Sequence, residues 1–262
     1  MALVKVEGLT KYFGGLAALQ GVDLELESQE IKGLIGPNGA GKSTFLKVIT
    51  GVYKPSAGRV RFNGEDITGL SPDRAAAKGI VRTFQETCLF GEMSVLENVL
   101  LGLHLSFKAR WWQKLFNTST ALKEEKIITQ RAIEILDFFG LAGFQHDQAR
   151  NLAHGYQRML GVAMALAANP KVLLLDEPFT GMNPEETSIM VKRIKRIRDE
   201  LGIAVILVEH HMEAVMSLCD RIAVLNFGHK IAEGAPDEIC NNPEVIKAYL
   251  GTDRVEVVGQ CS

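Results

Sequence analysis

The chain opens on short runs in which apolar residues fall on nearly every second position. "LVKVEGL" begins at Leu3, and "GVDLELES" begins at Gly21. A period of two puts those side chains on one face of an extended segment. The two runs predict antiparallel strands around a turn at Gly14–Gly15. "EIKGLIG" is almost continuously apolar and predicts a buried strand ending at Gly36, followed by a helix from about Lys42 to Thr50. "GRVRFNGEDITG" predicts a hairpin turning at Asn63–Gly64.

From about residue 88 to residue 165 the period lengthens. "SVLENVLLGLHL" and "QRAIEILDFFGL" carry helical spacing, and strand signals are few. β-type runs then return in "KVLLLDEP", "IAVILVEH" and "RIAVLNFG". Helical stretches such as "EETSIMVKRIKRIRDEL" separate them. Strands alternating with helices predict a parallel α/β sheet. The expected fold class is therefore α/β. Its core is discontinuous, over about 1–87 and 166–262, and opens with an antiparallel β subdomain; a helical subdomain is inserted at about 88–165.

Composition narrows the partners. With 262 residues, 47% of them hydrophobic, the chain can bury one large core with an added lobe. A net charge of −2 leaves no footprint for nucleic acid, so no nucleic-acid partner is expected. The basic run "KRIKRIR", Lys192 to Arg198, reads as the solvated face of an amphipathic helix. Cys88, Cys219, Cys240 and Cys261 are scattered without CxxC spacing, which fits a reducing compartment and suggests neither zinc nor a disulfide framework. No charged-then-apolar leader and no long apolar run is present. Any membrane role is expected to come through a partner.

Candidate chemistry sits at two strand ends. "GPNGAGKST" comprises Gly36, Pro37, Asn38, Gly39, Ala40, Gly41, Lys42, Ser43 and Thr44. It lies between a predicted strand and a predicted helix. Glycines there let backbone N–H groups turn inward around an anion, and the helix N-terminus points its positive end at the same place. Lys42 can reach β- and γ-phosphates, Ser43 can ligate Mg²⁺, and Thr44 can bond toward the α-phosphate. "KVLLLDEP" delivers Asp176 to the carboxyl end of a second strand, as a magnesium holder. Glu177 follows it as a general base for water.

The order of these motifs resembles an ATP-binding-cassette (ABC) transporter ATPase over nearly the whole chain. The resemblance implies a P-loop NTPase (RecA-like) core, with ATP and Mg²⁺ bound. It assigns Phe13 in "KYFGG" to adenine stacking. It assigns Gln85 in "RTFQE" to the loop that senses Mg²⁺ and the attacking water, and His210 in "VILVEHHM" to the γ-phosphate switch. "TGMNP" matches the loop crossing the family's dimer interface, with Asn183 in place of Asp; His211 also stands where the family commonly has Asp. The family's signature Leu-Ser-Gly-Gly-Gln is here Leu152, Ala153, His154, Gly155 and Tyr156. In a head-to-tail pair, Ala153, His154 and Gly155 are expected to face the partner's ATP. The loss of one hydroxyl at Ala153 is expected to weaken closure by no more than about a hundredfold.

Within the family, "FGGLAAL", "GIVRTFQETCLFGEMSVLENVLLG" and the tail from Asp220 to Gly251 resemble the importers of branched-chain amino acids. That resemblance implies a second ATPase subunit, two membrane permease subunits and a solute-binding protein, with this chain on the cytoplasmic face of the membrane. The cargo expected is a branched-chain or other hydrophobic amino acid, or a related amide. Trp111 and Trp112 lie in an extra segment similar to that group's long insert. Two other readings stand beside this one. One is a lipopolysaccharide-type export ATPase. The other, prompted by Ala153 and Tyr156, is a weakly hydrolytic nucleotide-dependent scaffold.

Overall fold

The alternating N-terminal runs form a hairpin. Strand β1 (Val4–Phe13) pairs antiparallel with β2 (Leu16–Leu26) around Gly14–Gly15. Val22, Leu24 and Leu26 are buried while Asp23 and Glu25 are exposed, which is the period of two made physical. The computed structural model describes residues 2–83, 89–104 and 119–250, the side chains at 104, 119–124 and 250 excepted. Gln85, Trp111 and Trp112 lie outside the described residues.

Contacts divide the chain into two compact units. One comprises residues 1–82, 171–177 and 194–262; the other comprises 83–170 and 178–193. In the first unit, β4 (Ala57–Phe62) and β5 (Glu65–Asp66) make the hairpin at Asn63–Gly64 and extend the antiparallel sheet, whose order is β2-β1-β4-β5. The second sheet combines β3 (Ile31–Ile35), β6 (Ile80–Arg82), β7 (Val172–Asp176), β8 (Ala204–Val208), β9 (Arg221–Asn226) and β10 (His229–Gly234) in the order β10-β9-β3-β8-β7-β6. All its neighbours pair parallel except β9 with β10. An all-parallel sheet was the expectation; the edge hairpin turning at Phe227–Gly228 makes it mixed. Its last strand sets one apolar pair, Ile231–Ala232, among His, Lys, Glu and Gly, so its pattern resembles a loop. The three-residue β6 is equally short of signal, and so is the helix before it, α2 (Pro72–Lys78).

Helix α1 (Lys42–Ile49) follows β3, as its spacing predicts. It buries Phe45, Leu46, Val48 and Ile49 in a core shared by both sheets. One member of the buried β3 row is charged. The Lys32 side chain is 3% exposed, lies 2.7 Å from Glu233 and 3.3 Å from Glu30, and donates to the Glu25 carbonyl. Burying an ammonium is tolerable only with such partners. Helices α7 (Met212–Leu218), α8 (Pro236–Cys240) and α9 (Pro243–Leu250) complete this unit. Cys219 is a buried free thiol.

The second unit is mainly helical. It packs α3 (Val95–His104), α4 (Ser119–Phe139) and α5 (His154–Ala167) against one another. A β-carbon on Gly102 of α3 would stand 2.4 Å from the Met164 carbonyl of α5, so glycine sets how closely these helices approach. Helix α6 (Pro184–Leu201) runs from this unit into the first. No helix of the described residues is long and apolar enough to cross a membrane.

Candidate active site

Three parallel strands end level. Leu34 of β3 and Asp176 of β7 are both register partners of Val208 of β8. The next few residues of each strand therefore emerge at one edge of the sheet. These are Gly36 and the cradle from β3, Glu177 from β7, and Glu209 and His210 from β8. Carboxyl edges of open α/β sheets are where ligands bind, because the loops there can converge without edge pairing.

The cradle is shaped by glycine. Gly36 has φ +146°, and a β-carbon there would sit 2.0 Å from the Leu225 carbonyl oxygen. Gly41, the residue before α1, has φ +107°, and a β-carbon would lie 2.6 Å from the Ala18 carbonyl. No L-residue fits either place without moving backbone. Asn38 and Gly39 are exposed at the loop crest, while Ser43 and Thr44, at the start of α1, are half-buried. The cradle also rests on the β9–β10 turn, where Gly228 donates to the Ala40 carbonyl at 3.0 Å.

Lys42 is 6% exposed, and its Nζ donates to the carbonyls of Gly36 (2.6 Å) and Pro37 (3.1 Å). Burial pushes its pKa below the usual lysine value, against the pull of Glu177 and Asp176. The ammonium is thus desolvated and turned into the loop, where phosphate oxygens are stronger acceptors than amide carbonyls.

The two carboxylates differ in setting. The Asp176 side chain is fully buried, and its Oδ2 accepts from Arg82 Nη2 at 2.6 Å. Glu177 adopts φ +51°, a left-handed conformation that costs a non-glycine residue about 1–3 kcal/mol. Its N–H donates to Val208 O at 2.8 Å, which holds it there. Its Oε1 lies 3.0 Å from His210 Nε2. Glu209 is 3% exposed, and its Oε2 accepts the backbone N–H groups of His210 (3.0 Å) and His211 (3.4 Å). His211 occupies the N-cap position of α7, with no capping hydrogen bond from its side chain. The sequence reading missed Glu209, because a single Glu beside two histidines carries no pattern.

Phe13 closes β1 and is 40% exposed. Its ring meets Tyr53 edge-on, with centroids 5.1 Å apart, and Lys11 Nζ lies 5.0 Å from it. Tyr53 follows α1 and also faces Lys47, at 5.6 Å. Phe13 is thereby tied to the helix that begins at the cradle. Tyr53 carries no sequence signal for this role.

Ala153, His154 and Gly155 belong to the second unit, at the start of α5. Ala153 is the N-cap, with extended φ −58° and ψ 151° and no side-chain hydrogen bond. Ala153 and His154 are exposed, and Gly155 is buried. A β-carbon on Gly155 would meet the Glu186 carboxylate carbon at 2.4 Å, and one on Gly181 would meet His154 Cε1 at 2.7 Å. Glu186 in turn accepts the Asn183 N–H at 3.0 Å, and Asn183 Oδ1 accepts the Glu186 N–H at 2.9 Å. That reciprocal box starts α6. Asn183 keeps this cap without placing a second carboxylate beside Glu186. Tyr156 packs on Phe144, with centroids 5.1 Å apart.

The Ser43 hydroxyl and the Asp176 carboxylate are hard oxygen donors of the kind Mg²⁺ takes. Among the described residues, no cluster of three or more His, Cys, Asp or Glu forms a metal cage. Such a pair suits a metal that shares its shell with phosphate oxygens and water.

Known proteins resemble this chain over most of its length. A family profile described as "ABC transporter" matches residues 19–180, and one described as "Branched-chain amino acid ATP-binding cassette transporter" matches residues 229–255. The chain is 42% identical to the high-affinity branched-chain amino acid transport ATP-binding protein BraF of Pseudomonas aeruginosa, covering 95% of this chain and 98% of that one. It is 43% identical to LivG of Escherichia coli, which bears the same description, with the same coverage. Among solved structures, the ADP conformation of MJ1267, an ATP-binding cassette of an ABC transporter, superposes with a TM-score of 0.84 at 34% identity, covering 96% of this chain and 99% of that one.

Proposed function

We propose a function from one premise: this chain belongs to the ABC transporter family of ATP-binding cassettes. It is an ATPase of that family. We read it as the ATP-binding subunit of an importer for branched-chain or other hydrophobic amino acids, or a related amide. The names of its relatives and the tail profile at residues 229–255 support this over export.

The observation that carries the catalytic reading is the 3.0 Å contact between Glu177 and His210 at the sheet edge that also bears the cradle. The residues from Gly36 to Thr44 bind the phosphates, and Lys42 exchanges two loop carbonyls for phosphate oxygens. Glu177 accepts the proton of the water that attacks the γ-phosphorus, while the bond to the β–γ bridging oxygen breaks. His210 donates to the γ-phosphate and orients Glu177. Ser43 and Asp176, with Gln85, would hold Mg²⁺, which would supply positive charge to offset that of the phosphates. Phe13 stacks on the adenine. Ala153, His154 and Gly155 complete the site of a second ATPase subunit, and their position at a helix N-terminus supports an anion-facing role.

The same reading takes 88–165 as a helical subdomain inserted in the core. It places the chain peripherally on the cytoplasmic face of the membrane, through two permease subunits supplied by a solute-binding protein. Replacing Glu177 by Gln in the purified transporter tests the chemistry. Turnover should fall by at least about a hundredfold, with Mg²⁺-ATP still bound and the ATPase dimer trapped. Full turnover in that variant overturns the assignment. Uptake of labelled leucine by the reconstituted complex tests the cargo.

A further inference from the structure

Arg82 and Asp176 close two neighbouring parallel strands, β6 and β7, and their side chains meet at the sheet edge. Arg82 Nη2 lies 2.6 Å from Asp176 Oδ2; the two side chains are 11% and 0% exposed. Arg82 Nε is buried and makes no hydrogen bond among the described residues. The guanidinium is therefore committed to the carboxylate through its outer nitrogen and has given up solvation elsewhere to reach it. Nothing in the chemistry of the cradle calls for it. A buried aspartate needs a cation, and a guanidinium, which stays charged at every accessible pH, is a permanent one.

We propose that Arg82 is a positioning residue that competes with the divalent metal for the Asp176 carboxylate, so that the site takes up metal together with nucleotide and not before it. The inference rests on reading Asp176 as the metal-side carboxylate. Two cations on one buried carboxylate repel each other across a low dielectric. A bare divalent ion brings no counter-charge and gains little from a carboxylate already neutralised. A metal chelated by nucleotide arrives with the negative charge of the phosphates, and those also attract Arg82 and Lys42. The pair thus biases loading toward the metal–nucleotide complex. Arg82 opens "RTFQE", where the motif points to Gln85; the pairing of Arg82 with Asp176 emerges only from the adjacency of β6 and β7.

Titrating Mn²⁺ into the nucleotide-free full-length protein, followed by electron paramagnetic resonance, tests this apart from catalysis. Wild type should bind Mn²⁺ no more tightly than Asp176→Asn. Arg82→Gln should gain a site at least about tenfold tighter, the cost of one neutralising charge at modest effective dielectric, and the gain should vanish in the Arg82→Gln/Asp176→Asn double variant. Arg82→Lys should stay near wild type. Binding of a non-hydrolysable ATP analogue should need about tenfold less Mg²⁺ in Arg82→Gln. A folded Arg82→Gln protein with wild-type Mn²⁺ affinity and an unshifted Mg²⁺ midpoint overturns the inference alone. So does wild-type protein that already binds Mn²⁺ through Asp176, a comparison that stands even if Arg82→Gln fails to fold. Nucleotide binding whose Mg²⁺ dependence survives Asp176→Asn removes the underlying metal assignment as well.

Discussion

His210 Nε2 and Glu177 Oε1 stand 3.0 Å apart, 33 residues from each other in the chain. They meet because β7 and β8 are adjacent, parallel and in register at Asp176 and Val208. Each side chain leaves its strand within two residues of that row. His210→Ala should lower the rate of phosphate release by at least about a hundredfold. Its thermal midpoint should barely move, since the side chain is 39% exposed and removes little packing. A large fall in stability would mean that the pair is structural.

Glu209 holds the backbone that carries His210. Its carboxylate is 3% exposed and accepts two backbone N–H groups ahead of α7. Glu209→Gln exchanges charge-assisted bonds for neutral ones. Chemical denaturation should show a loss of about 1–3 kcal/mol. Turnover should fall with it, because His210 loses its fixed backbone. Both readouts come from one preparation.

Gly155→Ala should displace the Glu186 carboxylate and break the reciprocal cap with Asn183. The expected cost is about 1 kcal/mol, the usual worth of a helix cap. In Glu186→Ala the cap is already gone, so adding Gly155→Ala should cost much less. A double-mutant cycle with additive effects would show that the two positions are independent.

Ala153→Ser restores a hydroxyl at an N-cap whose backbone is already extended. Unfolding measurements should show a gain of about 0.5–2 kcal/mol from capping α5. Hydrolysis should change by less than about a hundredfold. A switch from no turnover to full turnover would contradict the reading of Ala153 as a tuned position.

Acid should act on the buried cluster around Lys32. Burial of Glu233 favours its neutral form, but Lys230 and Lys32 outweigh that and hold its pKa below the ordinary glutamate value of 4.5. A depressed carboxylate contributes stability that is present above its unfolded pKa and lost as pH falls through its folded one. Glu233→Gln should therefore flatten the fall in stability below about pH 4.5. An unchanged acid limb in urea titrations would remove Glu233 from the cluster. Lys32→Met leaves Glu30 and Glu233 without their shared cation, and should cost about 3–5 kcal/mol at neutral pH.

The sequence alone determined the elements that local pattern encodes, along with the spacing of the motifs. Period-two alternation marked β1 and β2, and Gly36 to Thr44 announced a cradle between strand and helix. Asp176 and Glu177 at the end of an apolar run announced the second half of the site. These signals lie within a few residues of one another, so side-chain spacing and turn chemistry suffice to read them. Strand order is what tertiary structure decided. It set Arg82 against Asp176 across 94 residues and gave Lys32 its acidic partners, while helix packing pressed Gly155 onto Glu186 and the loop after α1 set Tyr53 edge-on to Phe13. None of these has a local signature, because each depends on which distant segments pack side by side. A lysine within an apolar run, or an arginine ending a three-residue strand, reads as ordinary until its partner is in place.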